Sequence, residues 1–176
     1  MENRKILRFL HVLAWIFFIG MCVEAGSFLF NMIYTLAFQP LAADYLPLTD
    51  LLRFGKTYFA LMLSLMTVAA VLKTLALYRI VMIFTENKLD LRTPFNVEFG
   101  RFVFSLSYLT LAIGIVSVIG AKTARWIADQ NVFLPDLGIL RLAGADVWLF
   151  MGATLYVIGL IFHRGVEMQS ESELTI

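Results

Sequence analysis

Charge is scarce in this chain: Asp, Glu, Lys and Arg together make up 15% of its residues, against about 25% in a soluble globular domain. So few charges cannot cover a composition that is 60% hydrophobic in water. Cysteine is nearly absent, and the single Cys22 excludes a disulfide within the chain and a cysteine-rich metal site. With a net charge of +1 there is no concentrated basic surface of the kind that direct nucleic-acid contact needs. No nucleophile beside a base, no phosphate-cradling glycine loop and no carboxylate pair is visible, so no enzyme is expected. Internal repeats and low-complexity stretches are missing as well.

What remains is apolar length, with a mean hydropathy of +0.82. Four runs approach or exceed the roughly 20 residues that cross a hydrocarbon layer: 9–37, 57–84, 102–121 and 145–162. They are continuously apolar rather than alternating, which predicts helices and not barrel strands. The expected fold is therefore all-α, a single domain over 1–176 built as a four-helix bundle in a lipid bilayer. The first two runs are long enough to tilt or protrude. The fourth is short and borrows a turn from 142–146. The first run exceeds a signal-peptide core and lacks a small-residue cleavage site, so it is expected to be retained.

Orientation follows from Lys and Arg near the span ends. The N-terminus, the central connection and the tail hold Arg4, Lys5, Arg8, Arg79, Lys88, Arg92, Arg101 and Arg164; the other two loops hold Arg53, Lys56, Lys122, Arg125 and Arg141. Eight against five places both termini in the cytoplasm of a multi-pass protein of the cell inner membrane. Tyr45, Trp126 and Trp148 fall near the opposite face as an aromatic belt. The 122–145 loop, with Pro135 and Gly138 among apolar residues, reads as partly packed.

Ionisable groups inside spans are expensive and demand partners. Glu24 lies mid-span in the first run, and Lys73 in the second is its expected partner. At 1.5 Å per residue, Glu24 lies about 22 Å and Lys73 about 16 Å from the inner ends of their runs, a mismatch of about 6 Å that a lysine side chain bridges. A structural pair that fixes helix register is the leading reading, and an ion or proton relay its rival. Gly20, Glu24, Ser27 and Asn31 share one helical face. Comparable stripes run through Ser107, Thr110, Gly114 and Ser117, and through Gly152, Tyr156, Gly159 and His163. Close packing of small residues explains such stripes, and a polar cavity is the alternative. His11 and His163, on the first and last spans, are the candidate axial ligands of a haem if those helices are neighbours. No cofactor is otherwise expected.

Two segments carry a resemblance. One is the connection Asn87-Lys88-Leu89-Asp90-Leu91-Arg92-Thr93-Pro94-Phe95-Asn96. The other is the tail, in which Arg164, Gly165, Glu167, Gln169, Glu171, Leu174 and Thr175 follow the end of the fourth span. With four spans in this length, they resemble the bacterial membrane proteins grouped as domain of unknown function 2975. Met168 stands where that family usually has Leu. The resemblance implies no catalytic residue and, as a neighbour, a very short helix-turn-helix regulator. The expected function is therefore a non-enzymatic inner-membrane protein acting through protein contacts at its cytoplasmic loop and tail. The rivals are a small-molecule or ion channel or transporter, which four helices would build as a homo-oligomer around Glu24 and Lys73, and a haem-binding electron carrier.

Overall fold

The computed structural model describes residues 2–37, 48–85 and 97–173. The expectations for Tyr45, Pro94, Phe95, Leu174 and Thr175 lie outside them. The described residues form helices α1 (Glu2–Ala37), α2 (Thr49–Phe54), α3 (Lys56–Thr85), α4 (Val97–Ala128) and α5 (Ala145–Glu173). All but α2 are long and apolar enough to cross a membrane. α4 and α5 run well past the expected limits of their spans, because nothing in 122–128 or 163–173 breaks a helix. α5 begins at Ala145, so Leu142 is not part of it.

Successive spans are antiparallel. Thr74 Oγ1 of α3 donates to the Met21 carbonyl of α1 at 3.1 Å, and His11 Nε2 lies 3.2 Å from Thr85 Oγ1 at the end that also carries the N-terminus. Ser107 Oγ of α4 donates to the Gly152 carbonyl of α5 at 2.8 Å, and Phe99 meets Phe162 edge to face. The start of α1 and the end of α5 thus share one end of the molecule, called here the termini end. The other is the loop end.

Packing follows chain order: α1 on α3, α3 on α4, and α4 on α5, with α2 against α3. α1 packs on neither α4 nor α5. Among the described residues the four spans therefore pack in chain order as a row, and the first and last, the neighbours that haem ligation would require, do not meet. The tightest contact in the row is α4 with α5. A Cβ added at Gly114 would lie 2.7 Å from the Leu149 side chain and 3.0 Å from its backbone nitrogen; one at Gly152 would lie 2.6 Å from Leu111 Cγ and 2.9 Å from Leu111 N. The small-residue stripes of these two helices therefore face each other and pack, as membrane helices do where lipid supplies no hydrophobic drive. Ser107 and Ser117 are fully buried there, and Thr110 returns its hydroxyl to the backbone of Leu106 and Ser107. Tyr156 packs edge-on against Phe104 and Tyr108. The stripe on α1 behaves otherwise. Gly20 and Ser27 are exposed, and Asn31 reaches only back to Ser27 at 3.5 Å.

The main hydrophobic core sits at the loop end, where Leu48, Leu51, Phe59, Met62, Leu63, Ile127, Leu140 and Leu142 are inaccessible. Residues 129–144 fold down into it instead of arching over it.

Gly152→Ala is expected to push α5 off α4 and to lower the unfolding free energy by about 1–3 kcal/mol, the usual range for overpacking a close contact. Gly26→Ala, where a Cβ meets nothing within 4 Å, should leave it unchanged or raise it slightly. Unfolding of both variants in mixed micelles, followed by circular dichroism, makes the comparison.

Candidate functional site

The site is built by a turn in the 129–144 loop. Ile139 N and Leu140 N donate to the Asp136 carbonyl at 2.9 and 3.1 Å, Gly138 N donates to Asp136 Oδ1 at 2.7 Å, and Leu142 N donates to the Leu137 carbonyl at 3.0 Å. Within this turn Arg141 takes a φ of +58°, a left-handed conformation that costs a non-glycine residue about 1 kcal/mol or more. Burial on both sides holds it there. Leu140 and Leu142 are fully inaccessible, and Leu142 lies on α4 where a Cβ at Gly120 would come within 2.7 Å of it. With its two neighbours committed to the core, Arg141 faces α1 and α3.

Both of its polar ends are used. Arg141 Nε lies 3.0 Å from Glu24 Oε1 on α1, and the Arg141 carbonyl accepts a hydrogen bond from Lys73 Nζ on α3 at 2.8 Å. Lys73 Nζ also stands 5.7 Å from the centre of the Trp148 ring, near the start of α5, in range for a cation–π attraction. One loop residue therefore ties α1 to α3, and the lysine it engages reaches α5.

Glu24 and Lys73 come to one site as expected, joined through Arg141 and not by a direct contact. The two residues do stand level: Glu24 is 13 residues from His11 (24 − 11), Lys73 is 12 from Thr85 (85 − 73), and His11 meets Thr85. The carboxylate nevertheless pairs with Arg141, whose guanidinium lies between the helices. The anticipated offset of about 6 Å shrinks to one residue, about 1.5 Å, because His11 and Thr85, not Phe9 and Phe84, are the residues that meet at the termini end. Trp148 also departs from expectation. It lines an interior space with Lys73 instead of joining an interfacial belt, whereas Trp126 packs beside Tyr58 at 5.4 Å as an interfacial ring does.

Depth gives these charges their weight. α3 is about 44 Å long at 1.5 Å per residue, and Lys73 lies about 26 Å from its start and 18 Å from its end. Wherever a hydrocarbon layer about 30 Å thick is laid along it, Lys73 is inside. Glu24 and Arg141 share that level.

The three side chains border a cavity of about 380 Å³. Beyond them it is mostly apolar, lined by Met21, Ala76, Leu77, Ile80, Leu106, Trp148 and Met151, with Thr110 as the one further polar side chain, its hydroxyl turned back to the Leu106 and Ser107 carbonyls. Ala76, Leu77 and Ile80 follow Lys73 toward the termini end, so charge sits at one end of the cavity and hydrocarbon at the other. Its walls come from α1, α3, α4 and α5, and the missing α1–α5 contact leaves a gap on one side.

The two histidines are not brought together. His11 Nε2 accepts from the Trp15 indole at 2.9 Å while its ring stacks on Phe84, and His163 lies 3.6 Å from Glu167 on the other edge of the row. A haem held between them has no support in this arrangement, since α1 and α5 do not pack.

No family model, no curated protein and no solved structure matches the chain.

If Glu24 and Arg141 act as a pair, each of Glu24→Gln and Arg141→Gln should destabilise the protein, by about 1 kcal/mol. Arg141→Gln should do so the more, because it strands a carboxylate only 23% exposed, whereas the Arg141 side chain is 58% exposed. The double variant should lose less than the sum of the two. A double-mutant cycle of unfolding free energies measures that coupling; strict additivity would mean that no pair forms.

Proposed function

We propose that this chain is a non-enzymatic, multi-pass protein of the bacterial inner membrane that holds a small amphiphilic molecule in the cavity at Glu24, Arg141 and Lys73. The observation that carries this reading is a polar trio level with the middle of the apolar helices, bordering a mostly apolar space that is open on one side. Ionisable groups at that depth mark functional sites by default, and a volume of about 380 Å³ falls within the range of small-molecule pockets. Among the residues lining the cavity Glu24 is the sole acid. Binding therefore fits better than a proton relay, which needs successive carboxylates.

Both termini are assigned to the cytoplasm. With Arg141 turned into the cavity, five loop cations become four against eight at the termini end, which sharpens the positive-inside bias. A second reading, protein contact at that face, is favoured by α5. Its residues Phe162, His163 and Val166 lie beside Val97 and Gly100 at the start of α4, so 167–173 extends about 10 Å farther as helix. Met168 and Glu171 are exposed on it. A cytoplasmic protein, of the small helix-turn-helix kind that the resemblance implies, is the partner this projecting helix would serve. Assembly of the chain with itself through the outer faces of the row is compatible with both readings.

Native mass spectrometry of protein extracted in mild detergent is expected to show a retained amphiphile that is lost in Leu77→Trp, where an indole fills the cavity. Equal adducts on both proteins would count against the reading. Orientation is checked with a membrane-impermeant maleimide on intact cells, in a Cys22→Ser background. Asp129→Cys should label, and Met168→Cys should label only after lysis.

A further inference from the structure

The cavity does not balance its charges. Glu24 contributes one negative charge, and Arg141 and Lys73 contribute two positive ones, in a layer where an uncompensated ion is severely penalised. The Glu24–Arg141 contact at 3.0 Å neutralises one pair. That leaves Lys73, whose ammonium carries three N–H donors. One of them goes to the Arg141 carbonyl at 2.8 Å. The Trp148 face at 5.7 Å attracts the charge but accepts no conventional hydrogen bond, so two donors remain beside the cavity.

The cavity's shape supplies the other half of the argument. From Lys73 the apolar lining runs along α3 through Ala76 and Leu77 to Ile80, about 10 Å at 1.5 Å per residue. Met21 of α1 and Leu106 and Met151 of α4 and α5 face the same space. Thr110 is the one polar side chain along that length, and it donates its hydroxyl proton to the Leu106 and Ser107 carbonyls at 2.9 and 2.8 Å, so it offers a ligand no second charged anchor. A slot with one cationic end and a hydrocarbon body fits a molecule built the same way.

We infer that the occupant is a single-chain amphiphile with an anionic carboxylate head, which Lys73 binds beside the Glu24–Arg141 pair while its alkyl chain lies along Leu77 and Ile80. This rests on the reading of the cavity as an amphiphile site and adds the charge and form of its ligand. Entry is lateral, through the gap between α1 and α5, where no helix pair closes the row. Glu24 has a positioning role: by holding Arg141 it keeps the Arg141 carbonyl on Lys73 and so fixes the ammonium at the head of the slot.

The test uses full-length protein in nanodiscs of zwitterionic lipid, with Trp15→Phe and Trp126→Phe so that Trp148 alone reports. Bromine-labelled dodecanoate and its methyl ester are titrated as quenchers, with concentrations counted per lipid. The carboxylate is expected to half-quench Trp148 at about one-tenth the concentration of the ester, or lower, the discrimination that a charge-assisted hydrogen bond gives. Lys73→Met should abolish this preference, and Lys73→Arg should keep it. Equal quenching by acid and ester in the Lys73 protein overturns the anionic ligand but leaves amphiphile binding standing. Failure of both quenchers to affect Trp148 overturns the cavity reading itself.

Discussion

A guanidinium drawn down from a loop to the level of Glu24 and Lys73, between apolar helices, is the interaction on which this architecture turns. α1 lies against α3 along its length but touches neither α4 nor α5. Its polar tie to the far half of the molecule is Glu24, through Arg141 and the turn that carries it, beside the apolar one that Ala25 and Phe28 make to the loop-end core. Arg141 in turn holds its place because Leu140 and Leu142 are buried on either side and because its carbonyl satisfies Lys73. Had the loop arched outward, Glu24 and Lys73 would face each other across the cavity with no backbone acceptor for the ammonium. The left-handed conformation at Arg141 is a small penalty beside that of leaving either charge unsatisfied at this depth.

Two kinds of packing hold the row. α4 and α5 meet through Gly114 and Gly152, with backbones close enough for Ser107 to reach a carbonyl across the interface. α1 and α3 meet through larger groups: Phe18 packs beside Tyr78 at 6.0 Å, His11 stacks on Phe84, and Ser64 Oγ points at Met32 Sδ. In both pairs a hydroxyl reaches a carbonyl across the interface, Thr74 to Met21 and Ser107 to Gly152, but only α4 and α5 add glycines on both sides of the contact. The cavity lies among all four spans, beside the Lys73 level of α3.

Much of this was legible beforehand, for physical reasons specific to each feature. The spans follow from uninterrupted apolar length, which lipid demands of any helix crossing it. The stripes on α4 and α5 were readable as packing surfaces because glycine and serine at helical spacing permit close approach. Glu24 and Lys73 declared themselves by being ionisable where charge is excluded. Arg141 did not. In sequence it is one loop cation among five, and its role depends on a turn whose direction is set by which of its neighbours reach the core. The Leu-Arg-Leu alternation was the available signal, since two large apolar residues flanking an arginine in a loop imply that the loop is anchored. Trp148 was misplaced for a related reason. Because α5 starts below the top of α4, an aromatic four residues into it lies deeper than a count from the loop suggests. The open row was equally hidden, since apolar faces do not announce their neighbours.

α5 connects features that otherwise seem separate. Its first turns supply Trp148 and Met151 to the cavity, its middle is pressed against α4 by Gly152 and Gly159, and its last two turns pass beyond the start of that helix. No proline interrupts it, so the wall of the cavity and the projecting surface belong to one rigid rod. α4 lies alongside for most of that rod's length, and small residues give the interface little slack. The cavity wall and the exposed helix end are thus continuous in one helix, and the Lys73–Trp148 contact lies at its start.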